Sequence, residues 1–347
     1  MTIQKKYIFL FAIFVNLSFS CKNKEKLKDS NKNKCSIELL NNNQQKNKIV
    51  DGCSFSNDVK TAFPEASGVV SLSTASGFCT GTFISEHFIL TAAHCFDLKK
   101  MGSSYADFID EVENTYAITS TNHNIFNSFD ILNTSYKTKA KNIIIHPYYL
   151  QNCADDSKEH QSLNKCNFAD LALVYTEKSS HELNVLPVGI SHKKDDNEGI
   201  IFVGYGKTSD SDNNIVRTKR WGLAHLHNLD FLSFILYEME NTALGSYFKS
   251  NIVPFITENF HDDPRSIFLF AEGSESGICQ GDSGGPIFIK DKDAFYTIGV
   301  VHANEGEKNE ICKNKKSINT YIEPYLEWIL EEAMQVNEQV NFKARES

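Results

Sequence analysis

Three short stretches of this chain carry side chains able to do nucleophilic chemistry. The first, "GICQGDSGGP" from Gly277 to Pro286, sets Asp282 and Ser283 among four glycines, with Cys279 three residues before the acid. Glycine permits positive φ and lets another chain approach closely, so the backbone here matters as much as the side chains, and a serine on such a turn is offered outward. The second, "CTGTFISEHFILTAAHC", ends an apolar run on His94 and Cys95, and the third, "NFADLALVYT", places Asp170 just before another apolar run. A seryl hydroxyl is a weak nucleophile near neutral pH and needs a base within hydrogen-bond reach. Imidazole can serve, taking the proton and later giving it to a leaving group. Each stretch also has an ordinary structural explanation: a surface turn in which Asp282 and Ser283 bond nearby amides, a satisfied core histidine, and a strand-initiating aspartate.

The elements that must position these residues are mostly strands. "GVVSLSTA", "GTFISEHFILTAA", "KNIIIHPYY", "DLALVYT", "GIIFVGYG" and "AFYTIGVVHA" are rich in Val, Ile, Phe, Tyr and Thr and are separated by Gly, Asn, Asp and Ser. This predicts a mostly antiparallel β protein, sandwich or barrel. Only "YIEPYLEWILEEAMQ", from Tyr321, has helical spacing, with Tyr325, Trp328, Ile329 and Ala333 on one face. The 347 residues suffice for one large domain or two smaller ones. Hydrophobic residues at 41% and charged residues at 23% are ordinary globular usage and exclude wholesale disorder. A formal charge of −9 argues against nucleic acid as a partner.

Taken together, in this order and separation, the stretches around His94, Asp170 and Ser283 resemble the chymotrypsin/trypsin family of serine endopeptidases, from Ile49 to about Met334. The resemblance implies an all-β fold of two packed six-stranded antiparallel β-barrels with a C-terminal helix. It implies that His94 and Asp170 come from the first barrel and Ser283 from the second, with protein or peptide substrates bound in the cleft between them. In the implied roles Ser283 attacks, His94 is the base, and Asp170 fixes the tautomer of His94 and stabilises its imidazolium. The N–H groups of Gly281 and Ser283 form the oxyanion hole. No cofactor and no metal are called for. The acidic stretch "DFIDEVEN" lacks ligand spacing that would specify calcium and is read as a solvated face.

The same resemblance pairs Cys79 with Cys95 and Cys279 with Cys312. Cys153 and Cys166 flank an insertion and are expected to bridge it, which leaves Cys35 for Cys53. The N-terminus is where the ninth cysteine, Cys21, falls. Residues 1–20 have a basic start at Lys5 and Lys6, an apolar run from about Ile8 to Leu17 and the small-x-small tripeptide Ser18-Phe19-Ser20, the pattern of an export signal. Cys21 resembles the lipid-acceptor cysteine of bacterial lipoproteins, although Ser18 stands where such signals usually have leucine; lipid anchorage and simple secretion are both open. Residues 21–48 form a polar linker too poor in apolar residues to fold alone, and 337–347 a polar tail.

"NKIVDG" resembles the family's activation site, where cleavage between Lys48 and Ile49 frees an ammonium that pairs with Asp282; Asp51 departs from the family's glycine. A Cys35–Cys53 bond would keep the propeptide tethered. In the specificity pocket, Gly277 stands where trypsins carry an aspartate, so basic residues are not expected before the scissile bond. Ile278 is bulky, and His302, Ala303 and Asn304 replace the family's Ser-Trp-Gly wall. Small or medium uncharged residues are expected. The alternatives are acidic specificity through His302, or a binding module without catalysis. His302 has a plainer role open to it as well, bonding Asp170 as the family's serine does. An enzyme that rejects lysine needs another trypsin-like protease as its activator.

Overall fold

The computed structural model describes residues 53–54, 57–96, 105–119, 136–153, 168–192, 199–208, 218–226, 268–273, 277–304, 312 and 316–343. All belong to the larger of two compact units, residues 37–347. Strand β1 (Cys53–Ser54) and helix α1 (Asn57–Ala62) lead into a first barrel. It is built from β2 (Val69–Thr74), β3 (Gly77–Phe83), β4 (Phe88–Thr91), β5 (Tyr116–Ile118), β6 (Lys137–Ile145) and β7 (Ala172–Thr176). These strands close in the order β2-β3-β4-β7-β6-β5, every pairing antiparallel. Helix α2 (Tyr105–Glu113) precedes β5, and α3 (Pro147–Cys153) follows β6.

The second barrel uses β9 (Gly199–Gly204), β10 (Arg220–Leu226), β11 (Phe268–Gly273), β12 (Pro286–Asp291), β13 (Ala294–Asn304) and β14 (Lys316–Tyr321). Their order is β12-β9-β10-β11-β14-β13, and the β12–β13 pairing closes the ring. Strand β8 (Gly189–Ser191) adds to β13 in parallel, and β1 adds to the other side of the sheet at β10. Two packed six-stranded barrels are therefore the architecture. Strands β4 and β7 are buried along almost their whole length, β4 at all four residues. That is why "FILT" and "ALVYT" read as continuous apolar runs and not as alternating ones.

Helix α4 (Leu326–Gln335) follows a 3-10 turn at Glu323–Tyr325 and buries Ile329 and Ala333 in the core that fills the first barrel. Tyr325 and Trp328 stack edge-on against His146, with ring centroids 5.1 Å and 4.8 Å away. Burial holds the His146 imidazole down at about 4, so it is a neutral aromatic plate at the junction of helix and barrel.

Three features differ from the sequence reading. Helices α1, α2 and α3 join α4 among the described residues; at six, nine and seven residues they are too short for a periodic pattern to stand out. The acidic stretch lies in α2 up to Glu113, where Glu111 is only 1% exposed, so that face is not wholly solvated. The segment after α4 also packs. Glu338 bonds His87 at 2.6 Å, the Asn341 carbonyl accepts the Ile190 N–H at 2.8 Å, and β15 (Phe342–Lys343) lies parallel to β8. Lys343 pairs with Asp291 of β12.

Cys79 is bonded to Cys95 and Cys279 to Cys312. Cys53 and Cys153 are also disulfide-bonded. Cys21, Cys35, Lys48, Ile49 and Cys166 lie outside the described residues, as does the insertion from Leu229 to Ser266.

Candidate active site

His94 sits in a 3-10 turn, Ala93–Cys95, just after β4, and the Cys79–Cys95 disulfide ties this turn to the neighbouring β3. Asp170 is fully buried ahead of β7. Before it, Ala169 takes a positive φ of 51° while its N–H donates to the Tyr325 hydroxyl at 3.2 Å, so the 3-10 turn ahead of α4 reaches the backbone next to the acid. Asp170 Oδ1 accepts the His94 backbone N–H at 2.8 Å, and Oδ2 accepts His94 Nδ1 at 2.6 Å. A second imidazole, His302 Nδ1, bonds the same Oδ2. The β13–β14 register shifts between Val301 and Ala303. Such a bulge re-aims a side chain, and here the one concerned is His302.

The electrostatics follow from this crowding. Burial alone would raise the Asp170 carboxyl, but His94 and His302 outweigh it and hold the group well below the ordinary carboxylate range. Burial likewise works against charge on His94, and the Asp170 carboxylate beside it more than compensates, so the imidazole is raised above its usual value. A carboxylate has no proton to give, so Nδ1 carries the hydrogen and Nε2 is left as the base. The His94 side chain is one-third exposed (33%), so the ring is open to solvent on one side.

Ser283 comes from the second barrel, in the turn before β12. Its carbonyl accepts the Thr80 N–H at 2.8 Å, and the next N–H, that of Gly284, donates to Val301 O at 2.8 Å. The serine turn is thereby seated between β3 and the strand that carries His302. Every carbonyl from 280 to 283 accepts a bond: Gln280 from Lys207 N at 2.9 Å, Gly281 from the Thr80 hydroxyl at 2.8 Å, Asp282 from Gly285 N at 2.9 Å, and Ser283 as above. The N–H groups of Gly281 and Ser283 have no partner among the described residues. Gly281 reaches this arrangement with φ of 101°, the left-handed region that favours glycine.

Asp282 turns its carboxylate the other way. It is 5% exposed and accepts the N–H groups of Gly206 at 2.7 Å and Cys279 at 2.9 Å. Burial pushes this carboxyl up to about 6, and the two amide bonds and the Arg220 charge offset only part of that. A Cβ on Gly204 or Gly206 would collide with the Asp282 carboxylate, so "GYG" is the cradle for this acid.

A family model, that of trypsin, matches residues 58–224 and 245–329. The chain belongs to the trypsin family. It is similar to the trypsin Tyr p 3.0101 of Tyrophagus putrescentiae, with 26% identity over 301 residues that cover 84% of this chain and 83% of that one. Chymotrypsin-like elastase family member 1 of Homo sapiens is 22% identical over 255 residues, covering 72% and 79%. Transmembrane protease serine 11B of Homo sapiens is 26% identical over 309 residues, covering 86% of this chain and 58% of that protein. No helix among the described residues is long and apolar enough to cross a membrane.

The structure brings His94 and Asp170 into contact and seats the Ser283 turn beside them. Of the expected pocket residues, Gly277 is buried and Ile278 packs in the core of the second barrel, only 4% exposed. Ala303 and Asn304 lie on β13 opposite Ile318 and Ser317. His302 is on Asp170, the plainer of its two roles. Three clusters among the described residues bring metal-ligating types within 4.8 Å. Cys79 and Cys95 are oxidised and offer His94 no thiolate partner, His94 and His302 both bond Asp170, and His87 bonds Glu338 of the C-terminal segment. Sequence reasoning passed over Thr80, Gly206 and the hydroxyl of Tyr325, none of which carries a local signal of its contact.

Proposed function

We propose that the protein is an exported serine endopeptidase that cleaves peptide bonds through an acyl-enzyme. Ser283 is the nucleophile, His94 the general base and then acid, and Asp170 the group that orients His94 and stabilises its imidazolium. The two unpaired N–H groups of Gly281 and Ser283, beside the 2.6 Å His94–Asp170 pair, are the observation that carries the reading. Donors left without a partner among the described residues are what a developing oxyanion requires, and each is worth about 2.7–4 kcal/mol when removed from a comparable site.

The chain is made as a zymogen, with residues 1–20 as the signal, 21–48 as the propeptide and 49–336 as the protease domain. Cleavage between Lys48 and Ile49 supplies an ammonium for Asp282, a buried carboxyl that burial pushes up to about 6. A separate trypsin-like protease makes that cut, because Gly277 offers lysine no counter-charge; Asn304, where the family has glycine, favours small or medium uncharged residues before the scissile bond. Cys35–Cys53 tethers the propeptide, and a lipid on Cys21 would hold the active enzyme at a membrane surface.

The test is fluorophosphonate labelling of the exported protein before and after cleavage by added trypsin, alongside Ser283→Ala. Labelling that appears after cleavage and never in the variant supports the zymogen reading. Verified cleavage at Lys48 without labelling would make the protein a binding module of this fold.

A further inference from the structure

We propose that Thr80 is a positioning residue for the oxyanion hole, acting from the opposite barrel through its hydroxyl. The proposal rests on the serine-protease reading above and adds a residue to it. Thr80 lies in β3, is fully buried, and sends two bonds to the serine turn while two more hold Thr80 itself. Its hydroxyl donates to Gly281 O at 2.8 Å and accepts the Tyr205 N–H at 3.1 Å. Its N–H donates to Ser283 O at 2.8 Å, and its carbonyl accepts the Thr91 hydroxyl at 2.8 Å.

The geometry gives each bond a task. The Tyr205 N–H occupies one lone pair of the Thr80 oxygen, which leaves its proton free to point at Gly281 O. Gly281 has no side chain to restrict its own rotation, so the direction of its N–H depends on what grips the peptide groups on either side. Lys207 N–H holds the preceding one through Gln280 O at 2.9 Å, and Thr80 holds the following one. By gripping Gly281 O and Ser283 O together, a single residue holds the segment that carries the two N–H groups left without a partner among the described residues. Thr91 in turn fixes Thr80.

Removing the hydroxyl leaves Gly281 O and Tyr205 N–H without their shared partner, and the Gly281–Asp282 peptide that follows the oxyanion N–H is then held by its Asp282 N–H bond to Cys279 O alone. Losing an oxyanion donor outright costs about 10²–10³ in kcat; a donor loosened but present is expected to cost about tenfold. The effect should fall on kcat and not on KM, since the tetrahedral intermediate, not the substrate, uses the hole.

The experiment compares wild type, Thr80→Val, Thr80→Ala and Thr80→Ser as full-length protein cleaved by trypsin. The measurements are kcat and KM on a peptide substrate and affinity for a peptide boronate, which forms a tetrahedral adduct. The expected result is that Val lowers kcat and boronate affinity by about tenfold each with KM within about twofold, while Ser stays near wild type. Should Val not fold, Ala makes no new clash and carries the same expectation. Wild-type kcat and boronate affinity in a folded Val or Ala variant would overturn the proposal, as would a loss confined to KM or an equal loss in Ser. In each of those results the serine-protease reading still stands. A wild type that forms no boronate adduct and turns over no substrate overturns both.

Discussion

Asp282→Asn is predicted to change how the stability of the uncleaved protein depends on pH. The carboxylate is buried, and two backbone N–H groups do not fully replace its hydration, so its pKa is raised from 3.8 to about 6. Between these values the folded state keeps a proton that the unfolded chain has released. The contribution of Asp282 to stability is therefore fully present below about 3.8 and is lost as pH rises through about 6. The loss amounts to about 3 kcal/mol, at 1.36 kcal/mol for each pKa unit. Asparagine cannot ionise, and the bond it fails to make costs the same at every pH. Urea unfolding at pH 4, 5, 6 and 7, in a Ser283→Ala background that prevents autolysis, reads the difference between the two proteins. Asp170 and His94 titrate alike in both and cancel. A difference that stays flat across this range would refute the account of Asp282 as a destabilised carboxylate. The activation proposal adds an arm: cleavage after Lys48 should restore stability at pH 7 to the protein with Asp282 and leave the asparagine variant unchanged.

Asp170→Asn is expected to lower kcat by about 10⁴-fold. It should also move the acid limb of kcat/KM to lower pH, because the carboxylate that raises His94 is gone. His302→Ser removes one charge-assisted donor while His94 keeps both of its bonds, so kcat should fall by about tenfold at most. A loss confined to substrates with glutamate before the scissile bond would assign His302 to the pocket instead. Deleting residues 336–347 strips the Ile190 N–H of its partner and uncovers β8, and should lower unfolding free energy by about 2 kcal/mol. An unchanged denaturation midpoint would show that the segment is not part of the fold.

How much of this was legible depended on where the information sits. His94, Asp170 and Ser283 each lie in a local pattern, and the strands β4 and β7 that hold the first two announce themselves as apolar runs. Strands such as β11 "FLFAEG" and β14 "KSINTY" were not singled out, since their pairing is decided by partners about 50 residues away. Alanine gives no sign of a positive φ, so the turn at Ala169 was invisible without the Tyr325 hydroxyl that steadies it. Threonine inside a strand reads as an ordinary β-former, and nothing in "CTGTF" says that the hydroxyl of Thr80 crosses to the other barrel. The bulge that sends His302 to Asp170 is likewise a matter of register, not composition.

The bond from Ala169 to Tyr325 also sets an order of assembly. All six strands of the first barrel come from residues 69–176, a contiguous stretch that can close on itself while the rest of the chain is still being made. Asp170 belongs to that stretch, yet the hydroxyl that holds the backbone before it comes 156 residues later. The serine turn and the strand bearing His302 arrive later as well. A nascent or truncated chain can thus hold all six strands of the barrel and still lack both the α4 residues that complete its core and the bond that steadies Asp170.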